Sequence, residues 1–215
     1  MTVIAASADR TDTGRRMGPP DTGNAIESDE ALMLAYARGD AAAFERLYAR
    51  HKGPTYRYFL RHTSDRAAAD ELQQDVWLRV VRARERYAPD ARFTTWLYTL
   101  ARHRLVDHWR ARHGAQFVSL DDEDGDAMRD SRIDGDGRED CTDPLAQAID
   151  TQAGHRLVAA LAGVPAAQRD AFLLHVEAGL SLAEIAGLAG VPAETVKSRL
   201  RYAYRRLRAA LEDLQ

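Results

Sequence analysis

The sequence has few of the features on which several protein classes depend. It contains one cysteine, Cys141, which excludes a disulfide framework and a cysteine-based zinc site. No run approaches the ~18 consecutive apolar residues of a membrane span, and no apolar core of a secretory signal follows the N-terminus. Strict alternation of apolar and polar residues, the mark of a strand, is absent over any useful length. We therefore expect an all-α protein without membrane insertion, and a single cysteine fits a reducing, cytoplasmic location.

Charge is divided unevenly along the chain, although the net charge is only -3. Residues 26–113 hold 16 Lys and Arg against 12 Asp and Glu, and residues 143–215 hold 8 of each kind. Between them, residues 114–142 hold 3 basic and 10 acidic residues, and residues 119–142 are almost free of large apolar side chains. Such a segment cannot bury a core, so we predict two helical domains joined by a flexible acidic linker. Residues 1–25 lack periodicity and are predicted to be a disordered tail.

Apolar residues recur at helical spacing through the first domain, with an early break at Gly39. Pro54 predicts the start of a further helix, because proline is favoured at the first helical position. Two long amphipathic helices are predicted at 66–87 and 93–111, on either side of a break at Pro89. The apolar stripe of the 66–87 helix consists of Ala69, Leu72, Val76, Leu78 or Val80, and Val81.

The C-terminal stretch 181–211 has the pattern of two helices joined by a tight turn. Ser181 and Glu184 form a capping box, Gly190 lies in the turn, and Pro192 opens the second helix. The inward face of that helix is Val196, Leu200, Ala203 or Tyr204, Leu207 and Leu211. Its basic residues are Lys197, Arg199, Arg201, Arg205, Arg206 and Arg208. A capped helix, a glycine turn and a basic second helix form the arrangement that enters the DNA major groove.

The outward N-terminal face of this last helix is a candidate for reading bases. It presents Glu194, Thr195, Lys197, Ser198, Arg201 and Tyr202. Lys and Arg can bond guanine, and Ser and Thr can bond several bases. Arg205, Arg206 and Arg208 lie further along and suit phosphates, which strengthen binding without reading sequence. The alternative is a solvated, arginine-rich surface helix, which the capped helix and turn before it disfavour.

Two faces of the first domain each allow more than one interpretation. Residues 93–112 combine aromatic side chains with arginines, a combination that suits unstacked single-stranded bases, although, taken alone, the aromatic side chains suit a core better. On the 66–87 helix, one side carries Asp70, Glu71, Gln74 and Asp75. These residues form a solvated face, a docking surface for a basic partner or, least favoured, the carboxylates of a metal-dependent nuclease. No histidine lies at ligand spacing with them.

Two stretches resemble a known family. The run ADELQQDVWLRVVRARERYAPDARFTTWLYTLARHRLVDHWRAR, residues 69–112, resembles region 2 of bacterial RNA polymerase sigma factors of the sigma-70 family, extracytoplasmic-function (ECF) group. Residues 181–211 resemble region 4 of the same group. The resemblance implies a helical bundle and a helix-turn-helix domain in a subunit that binds core RNA polymerase and directs it to promoter DNA. It implies no cofactor and no catalysis; an anti-sigma partner is common in the family.

The resemblance also implies roles for particular residues. Docking on core polymerase maps onto Asp70, Glu71, Gln74 and Asp75. Capture of the melted minus-ten element maps onto Tyr98, Thr99, Arg102, His103 and Arg110. Reading of the minus-thirty-five duplex maps onto Glu194, Thr195, Lys197, Ser198, Arg201, Tyr202 and Arg205. The family commonly has Ala-Arg-Asn where this chain has Ala101-Arg102-His103, and an imidazole cannot copy the paired donor and acceptor of an amide.

The linker is long enough to let one chain use both domains on the same DNA. As a flexible coil, residues 114–142 span about 30 Å on average and about 100 Å at full extension. Two DNA sites two helical turns apart lie about 70 Å from each other. The competing hypothesis is a stand-alone helix-turn-helix transcriptional regulator, which would bind its duplex tightly without polymerase.

Overall fold

The structure, a computed structural model, describes residues 27–113 and 152–212. All regular secondary structure in these two ranges is helical, which confirms the predicted class. The helices are α1 (Asp29–Ala37), α2 (Ala41–Thr63), α3 (Arg66–Ala83) with a 3-10 turn at Arg84–Arg86, α4 (Phe93–His113), α5 (Gln152–Ala162), α6 (Ala166–Val176), α7 (Leu182–Ala189) and α8 (Ala193–Glu212). The predicted tail (1–25), the linker (114–142) and the first residues of the second domain lie outside the described residues.

Helices α1 to α4 pack into an N-terminal unit in which α2 contacts α1 and α3, and α3 contacts α4. The first three helices begin at side-chain caps, because Ser28, Asp40 and Asp65 accept hydrogen bonds from backbone N–H groups of the first turn. The first N–H of α4, from Phe93, instead donates to Glu30 Oε1 at 2.7 Å. Side chains without exposed surface fill the centre: Leu32, Met33, Leu47, Tyr58, Phe59, Leu72, Val76, Val80, Phe93, Leu97 and Leu105.

The prediction that Pro54 begins a helix is wrong. Helix α2 runs without interruption through this residue. A proline inside a helix costs about 3 kcal/mol, because it removes one backbone hydrogen bond and crowds the preceding turn. Leu47 before it and Tyr58 and Phe59 after it belong to the same buried cluster. Burying each such side chain contributes about 1.5–3 kcal/mol, so packing outweighs the local loss.

Helices α5 to α8 form a C-terminal unit in which α8 packs against the other three. The predicted capping box is present, because Ser181 Oγ accepts from the Glu184 N–H at 3.3 Å and the Glu184 carboxylate accepts from the Ser181 N–H at 2.9 Å. Gly190 ends α7 with a φ of 71°. That left-handed conformation costs a residue with a side chain about 1–2 kcal/mol, which accounts for glycine at the turn.

Helix α8 has the amphipathic character expected of it. Val196, Leu200, Ala203 and Leu207 are buried against the rest of the unit, as predicted. The sequence left Ala203 and Tyr204 as alternatives, and the structure exposes Tyr204. Leu211 was predicted to face inward but is 37% exposed, because it lies in the last turn of the helix, beyond the reach of the core.

The two units contact each other, an arrangement that the sequence pattern did not predict. Helix α2 packs against α5 and α6, and α4 packs against α7. The buried apolar side chains of both units form one continuous cluster. A hydrogen bond from Arg102 to Asp170 also joins α4 to α6. The contact therefore reaches the part of α4 that was expected to face DNA.

Candidate nucleic-acid interface

All the residues predicted to read duplex DNA lie on one outward surface of α8. The exposed members are Glu194, Lys197, Arg201, Tyr202 and Arg205, and the half-buried ones are Thr195 and Ser198. Lys197 Nζ lies 3.4 Å from Glu194 Oε1, and both side chains are largely exposed, so solvent screens the pair and a DNA contact can replace it. The Ser198 hydroxyl donates to the Thr195 carbonyl at 2.8 Å. Arg199 is buried and contributes nothing to this surface.

The ring of Tyr202 anchors two of the arginines. The guanidinium carbons of Arg201 and Arg205 lie 5.1 and 5.0 Å from its centroid, within the range of a cation–π contact. Restricting two long side chains in this way lowers the conformational entropy that they lose on binding. Arg206 and Arg208 are exposed further along the helix. The surface therefore combines pre-positioned donors near its start with additional positive charge towards its end.

The residues predicted to capture the minus-ten strand differ in exposure. His103 and Arg110 on α4 are exposed, and Thr99 is half-buried. Tyr98 and Arg102 are buried, with 1% and 8% of their surface exposed. Burial also raises the pKa of the Tyr98 hydroxyl. In this conformation, the side chains of Tyr98 and Arg102 are therefore not accessible to a nucleic acid.

Asp170 of α6 covers the Arg102 side chain. Its carboxylate accepts hydrogen bonds from Arg102 Nε and from the Tyr58 hydroxyl, each at 2.9 Å, and its Oδ1 lies 3.3 Å from His62 Nε2. Burial alone would raise the pKa of Asp170, but His62 and Arg102 lower it to about 2. Burial and the adjacent carboxylate raise the pKa of Tyr58, because both disfavour a phenolate. Asp170 is therefore a buried, ionised group whose hydrogen-bond donors, Arg102 and Tyr58, belong to the other unit.

Two further acidic residues of the C-terminal unit meet the N-terminal unit. Glu177 accepts from Arg57 Nε at 2.8 Å and pairs with Arg61, and its side chain is only 5% exposed. Glu184 Oε1 accepts from the Thr95 hydroxyl at 2.7 Å. The N–H and hydroxyl of its capping partner and the Thr95 hydroxyl lower the pKa of Glu184 to about 2. Glu184 thus caps α7 and contacts α4 at the same time.

An acidic patch lies on the outer side of α3. It contains the predicted docking residues Asp70, Glu71, Gln74 and Asp75. The first three are exposed, whereas Asp75 is partly exposed and pairs with Arg104 of α4. The sequence left Leu78 and Val80 as alternatives for the buried stripe; the structure buries Val80 and leaves Leu78 43% exposed beside the patch. Leu78 therefore adds an exposed apolar side chain to this face, and it was not among the predicted docking residues.

The fold and these faces define a class of protein. It is a helical protein in which a helix-turn-helix unit presents an exposed basic face and a second unit presents an acidic patch. In residues 27–113 and 152–212, no helix is long and apolar enough to cross a bilayer. The same ranges contain no group of three His, Cys, Asp or Glu side chains placed to hold a metal ion.

Comparison with known proteins identifies the family. The family models for Sigma-70 region 2 and Sigma-70 region 4 match residues 47–114 and 154–207. The chain is 33% identical over 186 residues to the ECF RNA polymerase sigma factor SigL of Mycobacterium tuberculosis, covering 86% of this chain and 97% of SigL. It is 30% identical over 187 residues to the RNA polymerase sigma factor CarQ of Myxococcus xanthus, covering 85% and 97%. The chain belongs to the ECF group of the sigma-70 family.

Solved structures support the same fold. The sigma factor RpoE of Bartonella quintana, in complex with the anti-sigma factor NepR, matches with a TM-score of 0.59 and 22% identity, covering 79% of this chain and 96% of RpoE. CnrH, in complex with the cytosolic domain of CnrY, matches with a TM-score of 0.56 and 19% identity, covering 86% and 97%. Membership of the family makes this chain a subunit that binds core RNA polymerase and directs it to promoters. The alternative of a stand-alone regulator is not favoured.

Proposed function

We propose that three faces divide the work of promoter recognition in this chain. Helix α8 reads the minus-thirty-five duplex, α4 receives the melted minus-ten strand, and the acidic patch on α3 docks on core RNA polymerase. The observation that best supports this division is the α8 surface, which the capping box and the Gly190 turn hold outward from a buried stripe. We assign the chain no catalytic step and place it with the polymerase in the cytoplasm.

Within the α8 surface, position along the helix separates two kinds of contact. Lys197 and Arg201 lie in the N-terminal part, which meets base edges when a recognition helix enters the major groove. A bidentate contact to guanine discriminates against other bases by about 1–3 kcal/mol. Arg205, Arg206 and Arg208 lie beyond and suit phosphate oxygens. The first pair therefore selects sequence, and the other three raise affinity for any duplex.

The α3 patch has the composition of a protein-docking surface. Asp70 and Glu71 supply negative charge, Gln74 supplies an amide that can donate and accept, and Leu78 supplies apolar area. Charge complementarity steers a partner and fixes its register, whereas apolar contacts at the centre resist dissociation. A basic surface with an apolar depression on the polymerase is the matching partner.

The minus-ten contacts on α4 fall into two groups. His103 and Arg110 are exposed and can stack on an unstacked base or neutralise a phosphate. Tyr98 is buried, and Arg102 can do so only after Asp170 of the C-terminal unit moves away. An anti-sigma protein, of the kind bound to the Bartonella quintana factor, is a candidate regulator of these same faces.

Reconstitution with core RNA polymerase tests the assignment of the α3 patch. We expect Glu71→Lys to weaken holoenzyme assembly about tenfold or more, because it places like charges together at the interface. Glu85→Lys is the matched control, since Glu85 lies just beyond α3 with 76% of its side chain exposed. Native gel shifts and run-off transcription on genomic fragments give the readout. Equal loss in both variants, or no loss in Glu71→Lys, would contradict the docking face.

A further inference from the structure

The outer face of α4, which carries part of the proposed minus-ten site, also carries a carboxylate. Thr99, His103, Asp107 and Arg110 lie three or four residues apart, a spacing that places their side chains on one side of a helix. His103, Asp107 and Arg110 are exposed, and Asp107 is not among the residues predicted to contact this strand. A negative group at this position repels the phosphates of a bound strand, so its presence on the face needs a reason.

Two arginines hold the Asp107 carboxylate in place. Arg104, on the same helix, and Arg79, on α3, place guanidinium nitrogens 3.8 and 3.9 Å from Asp107 Oδ2. Arg104 is itself fixed, because a second nitrogen of its guanidinium donates to Asp75 of α3 and only 18% of its side chain is exposed. Both separations from Asp107 exceed a hydrogen bond, and 49% of its side chain is exposed. The carboxylate is therefore positioned, while its oxygens can still accept hydrogen bonds from a ligand.

Asp107 adds little to the stability of the network that it forms with Asp75, Arg79 and Arg104. Asp75 and Arg104 already join the two helices, and ion pairs of 3.8 and 3.9 Å at a half-exposed carboxylate contribute little. Together with Arg110, the network carries three arginines and two aspartates. The resulting positive charge suits nearby phosphates, so the surface can hold a nucleic-acid strand although it presents a carboxylate.

An outward carboxylate distinguishes bases by the hydrogen bonds that they donate. It accepts hydrogen bonds and donates none. Adenine, cytosine and guanine each carry an exocyclic amino group that can donate to it, whereas thymine carries carbonyl oxygens in the corresponding places. A site built for one hydrogen-bonding pattern rejects a ligand that lacks it, because polar groups are then left unpaired. Asp107 can therefore discriminate against thymine.

We propose that Asp107 is a base-reading residue of the minus-ten site, that it selects a base with an exocyclic amino group, and that Arg104 is the positioning residue that holds its carboxylate. The amino group of the base donates to Asp107, while His103 and Arg110, one turn away on either side, contact the adjoining part of the strand. The proposal rests on the proposed role of α4 and deepens it, because it names the chemistry by which one base is chosen.

Promoter selection by the holoenzyme tests the role of Asp107. The probe is a promoter mapped by run-off transcription, randomised at the minus-ten element and selected for open complexes. The wild-type holoenzyme should disfavour thymine about tenfold at one position, as expected for one lost base contact. Asp107→Asn should reduce this to about twofold or less, because an amide both donates and accepts and can pair with thymine. Unchanged preference at every position in Asp107→Asn overturns the proposal.

A charge control separates base reading from simple electrostatics. Removing the Asp107 charge also strengthens binding to every strand alike, since one repulsion of phosphates is lost, whereas loss of a base contact changes one position. Glu45→Gln removes one negative charge from an exposed position of α2 and should leave all base preferences unchanged. Tighter binding by Asp107→Asn with unchanged preferences would make Asp107 only a charge on this face and overturn the proposal.

Arg104→Ala tests the positioning role. It should lower discrimination against thymine about threefold at the same position and should add nothing in the Asp107→Asn background, because residues that act through one contact are not additive. An equal loss in both backgrounds would give Arg104 a separate, structural role and overturn its part of the proposal. Circular dichroism establishes that each variant is folded. If Asp107→Asn forms no holoenzyme, Arg104→Ala decides the matter, and unchanged preferences overturn the proposal.

Arg110→Ala distinguishes failure of this proposal from failure of the proposed function. Arg110 is exposed on the same face, and its loss should weaken capture of every minus-ten strand alike. Weaker capture by Arg110→Ala together with unchanged preferences in Asp107→Asn overturns only the role of Asp107. Unchanged capture and unchanged preferences in both variants would contradict the proposed role of α4 and this proposal with it.

Discussion

Replacing Arg201 by alanine is expected to change which minus-thirty-five sequences the holoenzyme selects. The side chain is exposed near the start of α8, with its guanidinium carbon 5.1 Å from the Tyr202 ring. Loss of one bidentate base contact costs about 1–3 kcal/mol, or about 5- to 150-fold in affinity for the preferred sequence. The lost cation–π contact adds about 0.5–1 kcal/mol at most at an exposed site. The loss of binding free energy for the preferred sequence should therefore exceed the loss in the free energy of unfolding.

Arg206→Ala is the matched comparison, because it removes the same side chain from an exposed position further along α8. One phosphate contact fewer weakens binding to all duplexes alike and reduces the slope of log affinity against log salt by about 0.9. The assay selects duplexes from a pool randomised at the minus-thirty-five element with each holoenzyme, then measures affinity across a salt series. The reasoning fails if both variants change the selected sequences to the same extent.

Further substitutions test the fold and the docking face. Leu72→Ala, at a site without exposed surface, should lower the free energy of unfolding by about 2–5 kcal/mol in urea titrations. Leu78→Ala, at a 43% exposed site, should change the free energy of unfolding by less than about 0.5 kcal/mol yet weaken polymerase binding. A larger loss of stability in Leu78→Ala than in Leu72→Ala would show that the buried stripe is assigned wrongly. Ser181→Ala should cost about 0.5–2 kcal/mol by removing the cap of α7. Gly190→Ala should cost about 1–2 kcal/mol because its φ is 71°; unchanged urea midpoints in both variants would show that the turn is not specified locally.

Features that depend on local sequence were predictable. The capping box at Ser181, the glycine turn at Gly190 and the buried stripe of α8 from Val196 to Leu207 all follow from spacing within a few residues. The acidic face of α3 followed from helical periodicity in the same way. These elements could be assigned because their physical cause lies within one or two helical turns.

Features that depend on distant residues were not predictable. Helix α2 continues through Pro54 because residues on both sides of it share a core built by other helices. Leu78 could not be distinguished from Val80 until neighbouring helices fixed the orientation of α3. The partner of Arg102 is Asp170, 68 positions away. Charge patterning predicted two domains and an acidic linker, but it carried no information on how the two units contact each other.

Transcription with purified core RNA polymerase tests the central claim most directly. Adding the chain to core enzyme on a library of genomic fragments should produce discrete transcripts, and the chain should co-elute with the polymerase. Sequences upstream of the mapped start sites should share a minus-ten and a minus-thirty-five element at fixed spacing. A chain that neither co-elutes with core polymerase nor changes the sites of initiation would contradict the account.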